Sequence, residues 1–581
     1  DAFSVSMANG LNEPHMNKGR VCTIAGVFGG FQALMPLIGW FCVHTIAESF
    51  HVFEKFIPWI ALILLLFIGG KMLIEGIKND CEEEVSAVSP GALFVQGIAT
   101  SIDALSVGFT IAEYNWIMAL AASLIIAIVS VCCNVVIGVI YSKKNNDVSD
   151  FYLGGRKLGP LVTAMSAEAS DMSSWLLMGL PGVAYLSGVA DAGWTAIGLG
   201  IGTYLNWLFV AKRLRRYSVK AGNAITIPEF FSNRFRDNSH LLLAISAIWI
   251  VIFFVPYTAS GFAACGKLFS TLFNIPYLPA MIVSAIVIVV YTALGGFLAA
   301  STTDLIQSIV MTIALVIVVF FGVSMAGGLD VVINNAKGLA GYLSLTQIHD
   351  QATGTASSYG FLTILSTLAW GLGYFGMPHI LLRFMGTEDE NKLKLSRRIA
   401  TIWVIISMFI AIFIGIIGYS ISKAGHIPAF TDSSQSETLI IKIAMLLSNH
   451  GVIAIIFAGI ILAGILACTM STSDSQLLAA SSSVSHNLLH DVLHIELSEK
   501  ASMLVARITV ICIAVIGVFI ARDPESSVFA IVSFAWAGFG ASFGPIMLFS
   551  LFWKRTNRNG ALAGMLVGGI MVFVWKYLIK P

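Results

Sequence analysis

About fifteen apolar stretches of roughly 20 residues follow one another along this chain, and that succession decides most of what it can become. A hydrocarbon layer offers no water to exposed backbone groups, so such a chain must satisfy its own N–H and C=O groups within helices or a closed barrel. The runs are continuous rather than alternating, which favours helices over barrel strands. Composition agrees: 57% of the 581 residues are hydrophobic and 11% are charged, with a mean hydropathy of +0.86. A soluble domain carries about 25% charged residues. The expected class is an all-α polytopic membrane protein. A net charge of +1 argues against a nucleic-acid partner. The eight cysteines show no CxxC and no Cys/His spacing, so neither a disulfide framework nor a zinc site is expected. Nothing resembles a nucleophile–base arrangement, a phosphate loop or HExxH, so no enzyme is expected.

Charge sets the orientation. Basic segments at 141–159, 212–220, 383–398 and 553–560 are separated by even numbers of spans, so all fall on one side. By the positive-inside rule that side is the cytoplasm. The loops at 326–356 and 422–449 carry few Lys or Arg and fall on the other. Five spans lie between 160 and 325, and five more between 357 and 552. The first span of each set is interrupted, by "SDMSSWLLMGLPG" at 170–182 and by "WGLGYFGMPHI" at 370–380. Because five is odd, the second set enters the membrane in the opposite sense. Paired Gly/Pro-interrupted helices in two inverted halves are the mark of a secondary transporter with its site at the bilayer midplane.

A helix break frees main-chain carbonyls, which persist in a membrane only where buried in protein or lining a cavity. Freed carbonyls and nearby hydroxyls form a cage of hard oxygens that suits Na⁺. The half-helix beyond the break presents a positive N-terminus to a solute carboxylate. Asp171 lies at the first break, where it either caps the loosened helix or attracts the ion. Glu168 either faces a water-filled entry or pairs with a basic residue. In a LeuT-like five-plus-five inverted repeat, the span carrying "CTMSTSDSQ" (468–476) packs on the first broken helix, where Ser471 and Thr472 can complete the cage. Each hydroxyl can equally bond back to its own helix. Trp370 and Tyr374, with Trp175 and Tyr257, supply either an aromatic wall for a compact solute or ordinary helix packing.

These stretches, with "DFYLGGRKLGP", "GGFLAASTTDLIQ" and "FAWAGFGASFGP", resemble the sodium:solute symporter family. The symporter domain is expected at 116–581, with repeat one at 160–325 and repeat two at 357–552. The resemblance implies Na⁺-coupled import of L-proline, or a related small amino acid, by alternating access across a bacterial plasma membrane. It places sodium on the Ala169 and Met172 carbonyls and the Ser471 and Thr472 hydroxyls, with Asp171 in support. It places proline against Ser173, Trp175, Tyr257, Trp370, Tyr374 and Pro378, and Asp304 on the inner ion path. No cofactor is implied beyond the coupling ion. A solute-sensing membrane module is the less favoured alternative.

Residues 1–115 form an extra N-terminal membrane segment of different character. "DAFSVSMANG", "FGGFQALMPLIGW", "WIALILLLFIGGKMLIEG" and "GIATSIDALSVG" resemble the manganese efflux pumps, in shortened form. Asp1 and Asp103 are the candidate Mn²⁺ ligands, since oxygen donors suit that ion. The span at 116–140 has features of both families.

Overall fold

The computed structural model of the chain describes residues 18–45, 94, 97, 101, 153, 156–294, 297–351, 353–493 and 499–579. The chain divides into two compact units. The first comprises Asp1–Phe151 with Val290–Ala299 and Glu499–Leu504. Its long described helix is α1 (Lys18–Thr45), where Phe31 meets Phe94 edge to face at 5.0 Å. Asp1, Asp103 and nearly all other spans expected before residue 150 lie outside the described residues.

Two sets of helices follow, nearly all within the second unit. The first set opens with α2 (Pro160–Asp171) and α3 (Trp175–Ser187), followed by α4 (Val189–Lys220). Helix α5 (Ile227–Phe235) is short, and α6 (Leu241–Phe273), α7 (Tyr277–Leu294) and α8 (Phe297–Met325) complete the set. The second set opens with α9 (Phe361–Phe375) and α10 (Pro378–Met385), bent by 43° at the break between them. It continues with α11 (Leu393–Lys423), α12 (Leu439–Ser448), α13 (Val452–Ser482), α14 (Glu499–Ile520) and α15 (Val528–Phe552), and α16 (Arg558–Ile579) follows. Among the described residues eight helices are long and apolar enough to cross a membrane, and the bent pair makes a ninth.

Both polar connections contain structure that apolar-run counting passes over. The segment after α8 forms a helix at Leu329–Lys337 and a hairpin of β1 (Gln347–Asp350) and β2 (Thr355–Ser358). The segment after α11 includes α12, which is mostly buried but too short to span. Just before α12, Glu437 meets Lys267 of α6 at 2.6 Å and accepts a bond from Ser527 Oγ at 2.8 Å. That buried pair is satisfied on both sides, which is the condition under which buried charges persist.

The basic segments lie together, in agreement with their expected common side. Arg156 donates to the Met385 carbonyl at 2.7 Å, Arg215 to Thr387 O at 2.6 Å, and Arg213 to Leu551 O at 3.5 Å. Arg216 pairs with Glu390 at 2.6 Å, and its hydrogen bond holds the Glu390 carboxyl below the usual range. One expected member departs from this group: Arg383 is only 1% exposed, within α10. The 212–220 segment likewise continues α4 as helix rather than loop.

Two glycines fix the approach of α4 to α9. Gly198 and Gly202 are four residues apart on one face of α4, and added methyl groups there would collide with the backbone at Leu368 and Gly371. Small residues at this spacing let helix backbones touch in a membrane. The contact brings the second broken helix against the first set.

Candidate functional site

The first break lies upstream of the Gly-Leu-Pro-Gly that marks it in sequence. Gly159 is extended and Pro160 starts α2, as proline does at a first helical position. The helix stops after Asp171, where Met172 takes ψ 71. Met172 and Ser173 are non-helical, and α3 then opens as a π turn, Trp175–Gly179. That wide turn precedes Pro181 and accommodates its missing N–H and bulky ring, so the proline ends no helix here. In the second set Ala369–Phe375 is a tight 3₁₀ stretch, Gly376 and Met377 break it, and Pro378 is buried at the first position of α10.

The last carbonyls of α2 would be orphans in a membrane. They are met from several elements. Glu168 O accepts from Met172 N at 2.8 Å. Ala169 O accepts from Ser471 Oγ of α13 at 2.8 Å. Asp171 O accepts from Ser173 N at 2.9 Å, from Trp175 Nε1 at 3.2 Å and from Tyr257 Oη of α6 at 3.2 Å. The Asp171 carboxylate accepts a short bond from Tyr374 Oη of α9. Asp171 therefore joins the two broken helices directly. Its other oxygen, Oδ1, is buried without a hydrogen-bond partner among the described residues.

Aromatic rings surround this junction. Trp175 and Trp370 lie 5.9 Å apart, and Trp370 contacts Phe529 at 4.9 Å. Trp536 of α15 stands edge-on to Tyr374 at 5.0 Å and donates its Nε1 to Tyr257 Oη at 3.2 Å. Ser173 is buried, with its Oγ 3.5 Å from Trp175 N. Asn206 Nδ2 donates to Tyr374 O at 3.0 Å.

The expected site residues thus divide. Asp171, Ser173, Trp175, Tyr257, Trp370 and Tyr374 gather around the first break, and Ala169 meets Ser471. Thr472 does not join that contact: its hydroxyl bonds to Cys468 O of its own helix at 3.1 Å. Asp304 belongs to a second polar group, where Ser166 donates to it at 2.7 Å and Arg383 pairs with it at 3.1 Å. Glu168 is buried, and its Oε1 accepts from Trp207 Nε1 at 3.0 Å rather than from a basic residue. Among the described residues no cluster of three or more His, Cys, Asp or Glu side chains is placed to hold a metal ion.

Residue-by-residue reading of the sequence passed over Trp536, Trp207 and Arg383. Trp536 lies within "FAWAGFGASFGP", whose glycines mark close packing without naming a partner. Arg383 carried a signal that was open to a different reading, a lone cation in the apolar run "HILLRFM".

Two five-helix sets, each opening on a helix broken at mid-length and joined to the other at the breaks, define the class: a multi-pass membrane transporter of the LeuT-like fold. A solved Na⁺-coupled sialic acid symporter shares that fold, with a TM-score of 0.59 at 18% identity over 74% of this chain and 86% of its own. The chain belongs to the sodium:solute symporter family, which matches residues 151–568. Its relatives include the sodium/proline symporter of Haemophilus influenzae, 45% identical over 446 residues, 76% of this chain and 86% of that protein. They also include the osmoregulated proline transporter OpuE of Bacillus subtilis, 40% identical over 433 residues, 74% of this chain and 84% of that protein. Residues 15–155 match a second family, the putative manganese efflux pumps. That match runs past the boundary expected near residue 115.

Proposed function

We propose that the chain imports L-proline together with Na⁺ across a bacterial plasma membrane by alternating access. The observation that carries this reading is the 2.8 Å contact of Ser471 Oγ with Ala169 O. It brings a hydroxyl of α13 onto a freed carbonyl of the first broken helix, two hard oxygens that one small cation can touch together. In this reading sodium takes the Ala169 and Met172 carbonyls and the Ser471 hydroxyl, with Thr472 turning from Cys468 to join them. Asp171 supplies the nearby negative charge. Proline lies against Ser173, Trp175, Tyr257, Trp370, Tyr374 and Pro378. The proline transport named for the relatives supports the substrate.

Sodium in this position braces the end of α2, and through Asp171 it orders Tyr374 and Tyr257 around the solute. Each ligand then raises the affinity of the other. In membrane vesicles, proline uptake is expected to require an inward Na⁺ gradient and to collapse when K⁺ replaces Na⁺. Uptake that proceeds equally without sodium would refute the symport reading, and preferential counterflow of another amino acid would refute the substrate.

The family match at 15–155 favours a second, separate activity, manganese export through the first unit, with Asp103 inside the matched range and Asp1 before it as the candidate oxygen ligands. Asp103→Ala is then expected to raise cellular manganese and leave proline uptake unchanged. Equal manganese content in the two strains would remove this reading.

A further inference from the structure

We infer that the groove between α15 and α16 is a lipid site: it holds one acyl chain of an anionic phospholipid of the outer leaflet, and Lys576 takes the phosphate. The site is separate from the proposed solute and sodium positions and does not depend on the symport reading.

Helices α15 and α16 touch at one level, where a methyl group added to Gly568 would strike the backbone of Ala541. From that level a groove of about 670 Å³ runs toward the start of α15 and the end of α16. Its volume lies within the roughly 300–1,000 Å³ of small-molecule sites. Small side chains make the hollow on the α15 side, Ala537 and Ala541 being four residues apart on one face. Ser533, on the same side, donates its hydroxyl to Ala530 O of its own helix at 2.9 Å. The α16 wall is built by Val567 and Met571, exposed by 60% and 42%. Exposed apolar side chains on a helix long and apolar enough to span a membrane meet lipid tails, not water.

The charge at one end specifies the lipid. Lys576 Nζ lies 4.0 Å from the centre of the Phe534 ring, and both residues line the groove. A lysine near the end of a membrane helix ordinarily extends its ammonium away from the hydrocarbon. This one is folded back over Phe534 instead, and among the described residues it forms no ion pair. Contact with a ring face leaves its N–H donors open to an anion.

Depth fits the same occupant. Trp575 and Tyr577, exposed on either side of Lys576, are the residues that settle at headgroup level. The groove therefore descends from the headgroups into the hydrocarbon. Helix α16 begins beside the basic segment 553–560, on the side assigned to the cytoplasm, so its Lys576 end lies at the outer leaflet. A cation at headgroup depth above an apolar hollow complements a phosphate above an acyl chain. The neighbouring face of α15 carries Phe529 and Trp536, which stand at the solute site, so the two sites share a helix but not a wall.

Photolabelling in proteoliposomes tests this. The full chain is reconstituted in phosphatidylcholine with a low fraction of a phospholipid carrying a photoactivatable group in one acyl chain, either as phosphatidylglycerol or as phosphatidylcholine. Label on peptides covering 528–552 and 558–579 is expected to be about fivefold higher for the anionic lipid, the effect of one basic residue at an anionic headgroup. Lys576→Gln is expected to erase that preference and Lys576→Arg to keep it. Ala537→Phe, which fills the hollow and leaves the charge, is expected to lower the label from both lipids. Equal labelling by the two lipids overturns the inference without recourse to any variant, and so does a preference that survives Lys576→Gln. A photoactivatable residue at Val567 is expected to couple to lipid. Its coupling to a second copy of the chain, or to another protein segment, would show that protein covers the groove and would overturn the inference too.

Discussion

Asp171→Asn is expected to raise the sodium concentration for half-maximal proline uptake by about 10- to 100-fold, because a hydrogen bond to a charged group contributes about 1.5–3 kcal/mol and each 1.4 kcal/mol is tenfold. The amide keeps the shape of the side chain and removes its charge. Two things weaken together. The field that favours a cation near the Ala169 carbonyl falls, and the short bond from Tyr374 Oη becomes an ordinary neutral one. Since that bond joins the two broken helices, proline affinity falls as well. Tyr374→Phe separates the contributions: it deletes the hydroxyl and leaves the carboxylate, so its sodium dependence should change less than its proline dependence. A sodium titration of uptake decides the matter, and an Asp171→Asn curve that overlays the unaltered protein's would exclude a role for this charge.

Ser471→Ala should weaken sodium binding by about tenfold or more, and Thr472→Ala by less. The asymmetry comes from where the two hydroxyls point. Ser471 Oγ touches Ala169 O as well as Cys468 O of its own helix, whereas Thr472 Oγ1 bonds back to Cys468 O and must rotate to take part. The double variant should also lose proline affinity at low sodium, although neither hydroxyl contacts proline in the proposed arrangement. Reciprocity requires this loss to disappear at saturating sodium. Proline binding measured at low and high sodium checks it. A loss of proline affinity that persists at saturating sodium would show a damaged pocket rather than broken coupling.

The broken helices were legible because their causes are local. Gly376 and Pro378 interrupt the second one within a few residues, and no distant contact is needed to read that. The first break was legible only in outline. Its Gly-Leu-Pro-Gly is the stronger sequence signal, yet the π turn at Trp175–Gly179 absorbs the proline, and the chain opens at Met172 and Ser173 instead. Side-chain hydrogen bonds to the Ala169 and Asp171 carbonyls favour opening there, and their donors Ser471 and Tyr257 lie on α13 and α6.

Arg383 makes the same point for charge. In sequence it begins a basic run and reads as the start of a cytoplasmic loop. Its carboxylate partner is Asp304, 79 residues earlier, and only the packing of α8 against α10 brings them to 3.1 Å. Glu168 and Trp207 are a similar pair, on α2 and α4.

By itself, the sequence determined that this chain is a bundle of membrane helices, that two of them are interrupted at matching places, and which side its basic segments share. Those properties follow from what hydrocarbon does to each short stretch independently. The tertiary structure alone decided which freed carbonyl meets which hydroxyl, which of two adjacent residues on α13 faces the break, and which buried charges neutralise each other. Successive residues on a helix point about 100° apart, so those partnerships depend on how each helix is rotated and placed against neighbours remote in sequence.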